Sequence, residues 1–154
     1  MTLPNRAPAS QPHDIAAGGE WLEWMPGERF ALRVPSAATQ GCYTMLEVTA
    51  VPRCGPPLHI HRNEDEHFII LEGTVRFVRG DRVFDASAGT TVTVPKGVRH
   101  TWSVVSDGTV RMLLVFTPGG FDDCFLELVG SAKDEVEGIL ARHGCTVVGP
   151  AICE

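Results

Sequence analysis

An all-β fold of short strands, closed as a sandwich or barrel and followed by helices, is the class this sequence predicts. Three observations carry that expectation. Segments rich in Val, Thr, Ile and aromatic residues recur from Glu28 to Thr117. Glycine, proline and aspartate fall between those segments. Beyond Thr117 the apolar residues change to a helical period.

In chain order, residues 1–20 come first, with prolines and small polar residues that read as a loose arm. The arm lacks the apolar core of a secretory signal. The longest wholly apolar runs are short, as in Met112 to Phe116, so no bilayer span is expected and a cytoplasmic location follows. Strand composition then marks residues 28–34, 41–51, 67–78, 82–85, 90–94, 100–105 and 109–117. The turns between them carry Gly55-Pro56-Pro57, Gly80-Asp81, Ser87-Ala88-Gly89, Pro95-Lys96-Gly97 and Asp107-Gly108. Residues 74–85 read as a tight hairpin, two alternating arms around Gly80-Asp81. Closure into a barrel removes the exposed edges of so many strands. No internal repeat is visible, so one barrel is expected over residues 21–120.

Residues 121–154 are expected to form a helical extension packed against the outside of the barrel. Phe121, Phe125 and Leu128 recur at helical spacing, as do Val136, Ile139 and Leu140. Ser131 suits the N-cap of the second helix, and His143-Gly144 its end.

A length of 154 residues favours one domain. A net charge of −6 with no basic stripe argues against a nucleic-acid partner. The five cysteines are scattered without a CxxC pair, so reduced and mostly buried thiols are expected.

The chemistry concentrates in GPPLHIHRNEDEHFIILEG, residues 55–73. His59 and His61 are two apart, so on a strand both imidazoles leave one face. A polar turn, Arg62 to Asp65, then leads into a second strand, on which Glu66, Phe68 and Ile70 share a face. A carboxylate could thereby meet both imidazoles across a strand pair. GTTVTVPKGVRH adds His100 at the start of a further strand, with Trp102 and Val104 continuing its face. Three imidazoles and one carboxylate form a nitrogen–oxygen donor set suited to a divalent transition metal. Phe68, Ile70, Trp102 and Val104 are the expected apolar walls of an adjoining pocket. His67 alternates to the opposite face, and Glu64 and Asp65 read as a solvated loop.

These residues resemble the two motifs of the cupin superfamily. His59, His61, Glu66 and Gly73 fit the first motif: HxH, four residues, Glu, six residues, Gly. Gly89, Pro95, Gly97 and His100 fit the second: Gly, five residues, PxG, two residues, His. With the flanking strands and LLVFTPGGF, residues 113–121, the chain resembles small bacterial cupins of the quercetin-dioxygenase-like kind. Two positions depart from the pattern. Arg53 stands where the family usually has Gly, and Val104 where it often has Asn.

The resemblance implies a double-stranded β-helix, or jelly-roll barrel. It also implies one divalent transition metal per subunit, held by His59, His61, Glu66 and His100. Iron or manganese is favoured, and zinc, nickel, cobalt or copper would also suit the donors. It further implies a small-molecule substrate and a homodimer formed through sheet edges, with residues 28–34 a candidate for the exchanged strand. One activity it implies is a quercetinase-like dioxygenase acting on an aromatic or enolic compound, with Glu66 able to act as a base. Cupin isomerases, decarboxylases and non-catalytic binding modules share the same ligands and remain alternatives.

Overall fold

The computed structural model describes residues 19–152, so most of the expected N-terminal arm lies outside the described residues. Among the described residues, eleven strands form two antiparallel sheets. The first has six strands: β1 (Trp21–Met25), β2 (Glu28–Val34), β3 (Thr44–Ala50), β10 (Val110–Thr117), β5 (Asp65–Glu72) and β8 (Thr91–Val94), in that order. The second has five: β11 (Cys145–Gly149), β4 (Leu58–His61), β9 (His100–Val104), β6 (Thr74–Arg79) and β7 (Arg82–Ser87). This is the jelly-roll expected from the sequence.

Alternation along each strand builds the interior. In β10 the residues Val110, Met112, Leu114 and Phe116 are buried while the intervening ones are partly open. Phe30, Leu46, Val48, Phe68, Ile70 and Phe77 fill the space between the sheets, each at most 1 % exposed. Burying a side chain of this size stabilises by roughly 1.5–3 kcal/mol, so the two inner faces supply most of the cohesion. On the outside, Glu47 accepts from both Arg33 and Arg111, at 2.8 and 2.5 Å, tying β2, β3 and β10 across their exposed face.

The predicted hairpin is present. β6 and β7 pair with Arg79 opposite Arg82, leaving Gly80-Asp81 as the two-residue turn. The run 67–78 divides at Gly73, whose φ of +81° breaks the strand and lets β5 and β6 enter different sheets. β2 is paired on both sides, with β1 and β3, and among the described residues the edges of that sheet are β1 and β8.

Helices α1 (Asp122–Leu128) and α2 (Val136–Arg142) lie where the periodicity put them. Ser131 does not cap α2. Its hydroxyl donates back to the Leu128 carbonyl at 2.9 Å and closes the end of α1, while the Glu135 carboxylate accepts from the Ala132 N–H. Residues 145–149 fall within the stretch read as a helical extension, but they form β11 and pair antiparallel with β4. CTVVG is β-branched and starts beyond Gly144, whose φ of +77° ends the helical run.

Candidate metal centre

His59 and His100 stand directly opposite one another in the short β4–β9 ladder, and His61 follows on the same face of β4. Gly55 makes this approach possible. A Cβ there would lie 1.8 Å from the Trp102 carbonyl oxygen, so only glycine lets the segment before β4 lie against β9. Glu66 arrives on β5, in the other sheet. The carboxylate therefore meets the imidazoles across the barrel interior and not across a hydrogen-bonded strand pair. The reason is topological: the turn between β4 and β5 carries the chain from one sheet to the other.

The four side chains converge. One donor atom from each of His59, His61, Glu66 and His100 lies within 4.8 Å of every other, and all four are buried or nearly so. Donors on opposite sides of an ion with ligand bonds near 2.0–2.2 Å are roughly 4–4.4 Å apart, so the spacing suits a single divalent cation. Among the described residues, this is the cluster of His, Cys, Asp and Glu with such spacing.

Backbone contacts prepare two of the rings. The Nδ1 of His59 is 2.7 Å from the Pro57 carbonyl oxygen, and that of His100 is 3.0 Å from the Val98 carbonyl oxygen. Each carbonyl needs an N–H donor, which places the proton on Nδ1 and turns Nε2 toward the cluster. One oxygen of Glu66 lies 2.8 Å from His100 Nε2 and 3.2 Å from His61 Nε2. Burial raises the Glu66 carboxyl, but hydrogen bonds and charge from His100 and His61 outweigh it and hold the group ionised, well below its usual range. For His100, burial lowers the imidazole, and the Glu66 hydrogen bond and charge overcome that and raise it. Burial, with repulsion from His100 and His61, lowers His59 to about 3, so this ring is neutral. A carboxylate and an unprotonated imidazole are the forms that ligate metal.

Glu64 corrects the reading of Glu64 and Asp65 as a solvated loop. Glu64 is 7 % exposed, and its Oε2 lies 3.8 Å from His61 Nδ1. Neither atom has a hydrogen-bond partner among the described residues. A small shift would bring them into contact, giving His61 the carboxylate partner typical of a metal-bound imidazole. Asp65 accepts from the Lys96 N–H at 2.8 Å and fixes the Pro95-Lys96-Gly97 turn. His67 faces away, its ring nitrogens each 3.1 Å from the hydroxyls of Thr93 and Thr117.

A cavity of about 50 Å³ adjoins the cluster. His59, His61 and Glu66 form its polar side, and Trp24, Trp102, Leu114, Phe116, Phe121, Phe125 and Leu128 much of its apolar wall. Trp102 is where the sequence put it. Phe68, Ile70 and Val104 are not on this wall; they lie in the packed core at 0, 1 and 2 % exposure. Phe68 packs edge-on to Phe77, their ring centroids 5.0 Å apart, and touches the His100 ring on its packed side. They share the inward face with the ligands, as alternation requires. Strand parity assigns a face, however, not a height along the barrel.

Much of the wall comes from the C-terminal segment. α1 and α2 lie outside the sheets, but Phe121, Phe125, Leu128 and Leu140 turn toward the cavity, joined by Cys145 and Val147 of β11. Phe121 stands edge-on to His61, their ring centroids 4.5 Å apart. Two residues the sequence reading missed are Glu28 and Trp24, both on the wall. Glu28 shares strand parity with Phe30, and that signal was available. The four described cysteines are free thiols; Cys145 reaches the cavity, and burial pushes the Cys124 thiol up to about 12.

The Cupin domain family matches residues 46–116, a span holding all four clustered residues. Residues 46–116 thus carry a cupin domain. This cupin superposes on KdgF from a Halomonas species with a TM-score of 0.63 at 15 % identity, covering 71 % of this chain and 94 % of the other. A predicted oxalate decarboxylase from Thermotoga maritima gives 0.58 at 20 % identity, covering 64 % and 90 %. The polyketide cyclase RemF from Streptomyces resistomycificus gives 0.53 at 20 % identity, covering 60 % and 66 %. At these identities the likeness is one of fold. No curated protein matches the sequence. Arg53 and Val104, where this cupin departs from the family pattern, bond to each other: Arg53 N–H donates to the Val104 carbonyl and Val104 N–H to the Cys54 carbonyl, both at 3.0 Å. Arg53 takes φ of +66°, the conformation a glycine would adopt freely.

Proposed function

We propose that this cupin binds one divalent transition metal through His59, His61, Glu66 and His100 and acts on a small oxygen-bearing molecule in the adjoining cavity. The observation that carries the reading is the juxtaposition of a four-donor cluster with an apolar cavity on its open side. A metal bound there would supply Lewis acidity and a fixed position for chelating oxygens. The chain's own residues do the rest. His59 and His100 are oriented by backbone carbonyls, apolar side chains form most of the cavity wall, and Glu66 stands beside the cavity as the one carboxylate of the cluster, the group that could accept a proton from a bound enol.

Among the substrates the sequence suggests, the apolar cavity favours compact enolic compounds, whose chelating oxygens are their main polar groups, over polyhydroxylated flavonols. The reaction proposed is a dioxygenase reaction on such an enol, in a cytoplasmic homodimer joined through the β1 edge. Oxygen uptake by protein reloaded with iron or manganese tests it, across enolised diketones, catechols and flavonols. Turnover of a diketone supports the reading. Saturable binding without oxygen uptake would replace it with a binding module. Failure of His59→Ala, His61→Ala and His100→Ala to reduce metal content, measured beside His67→Ala as the control, would remove its foundation. Light scattering tests the dimer.

A further inference from the structure

The cavity holds a polar group that the metal cluster does not use. Glu28, at the start of β2, is 2 % exposed and forms part of the wall that also carries Glu66. Its Oε1 accepts the indole N–H of Trp24 at 2.8 Å. Its Oε2 is buried and has no hydrogen-bond partner among the described residues. Leaving a buried polar atom unpaired is costly, and on an apolar wall beside Phe30 an isosteric Met would avoid that cost. The Trp24 bond also fixes which oxygen is free: Oε1 is occupied as an acceptor, so a proton on the carboxyl belongs on Oε2.

We propose that Glu28 is a ligand-binding residue whose Oε2 donates a hydrogen bond to a carbonyl oxygen of a compact, mainly apolar ligand, the ligand's remaining oxygens facing the side of the cavity formed by His59, His61 and Glu66. This rests on the reading of the cavity as a substrate site beside a metal, and it adds a second polar contact at a fixed place. Burial, eased by the Trp24 bond, favours the neutral, donating form of the Glu28 carboxyl. The ligand class follows from the wall. Two polar groups, Glu28 and the cluster, on a wall otherwise made by residues such as Trp102, Leu114 and Phe116 suit a molecule with a chelating head, a short apolar body and one more carbonyl.

A matched pair of probes isolates that last oxygen. Heptane-2,4-dione and heptane-2,4,6-trione share the chelating head and the chain length and differ by one carbonyl. With the full-length protein loaded with cobalt(II), binding is followed by calorimetry and by the visible spectrum of the metal. The wild type is expected to bind the trione roughly three- to tenfold more tightly than the dione, the yield of one hydrogen bond. Glu28→Met should bind both equally, and Glu28→Gln, whose amide still donates, should keep the preference. Equal binding by the wild type, a preference surviving in Glu28→Met, or one lost in Glu28→Gln would each overturn the assignment while leaving the metal site standing. A wild type that takes up no cobalt would overturn the site and this inference together. Melting curves check that each variant is folded, and Glu28→Ala takes the place of Glu28→Met in the comparison should the latter not fold.

Discussion

Arg53, Glu64 and Glu28 each occupy a position whose chemistry is decided by a single local feature. Arg53 sits at φ of +66° with its backbone tied to Val104. A left-handed conformation costs a residue with a Cβ about 1–2 kcal/mol, partly offset by the greater freedom glycine has when unfolded. Arg53→Gly should therefore stabilise by about 1 kcal/mol, read as a higher urea midpoint at unchanged slope. Glu64 is the buried carboxylate nearest the outer nitrogen of His61, 3.8 Å away. Removing such a partner weakens a metal site roughly ten- to a hundredfold. Glu64→Ala should show that loss in competition with a chelator while retaining full occupancy at saturating metal. An unchanged affinity would return Glu64 to the role of a folded loop residue.

Among the elements, α1 matters more to the site than its seven residues suggest. Asp122 anchors it, accepting from the N–H and hydroxyl of Ser36 and from Thr44 Oγ1 at 2.9–3.2 Å. That anchor holds Phe121 against His61 and Phe116, with ring centroids 4.5 and 5.0 Å away. Phe121→Ala should cost about 3–5 kcal/mol, as for other buried phenylalanines. It should also enlarge the cavity and loosen the His61 ring. Metal affinity should fall with stability, whereas Leu126→Ala, on the exposed side of the same helix, should change neither.

For the molecule as a whole, acidity acts on two buried groups in opposite senses. His59 is held at about 3 in the fold against 6.5 when exposed. The unfolded chain binds the extra proton, so this contribution is complete above pH 6.5 and is lost as pH falls toward 3. Glu28 is held at about 7 against 4.5. The folded chain keeps that proton longer, so its contribution is complete below pH 4.5 and is lost as pH rises toward 7. In chelator-treated protein, the stability of Glu28→Gln relative to wild type should therefore rise between pH 4.5 and 7, measured as urea midpoints across that range. A flat difference would mean that Glu28 is ionised in the fold throughout.

The sequence by itself determined the β class, the Gly80-Asp81 hairpin, the two C-terminal helices and the four residues of the cluster. Each depends on local information: strand alternation, turn chemistry, helical period, and a motif whose spacing is fixed by strand and turn lengths. It also determined that His67 faces away from Glu66, because parity on one strand is a local property. The tertiary structure alone decided that Glu66 reaches the histidines from the opposite sheet. It alone placed Phe68, Ile70 and Val104 in the core rather than on the cavity wall, turned residues 145–149 into a strand, and brought α1 against the cavity. Parity tells which face a side chain takes but not its height in the barrel or what stands opposite. Those depend on how two sheets and a returning C-terminus pack, and contacts such as Ser36 with Asp122 or His61 with Phe121 join residues far apart in the chain.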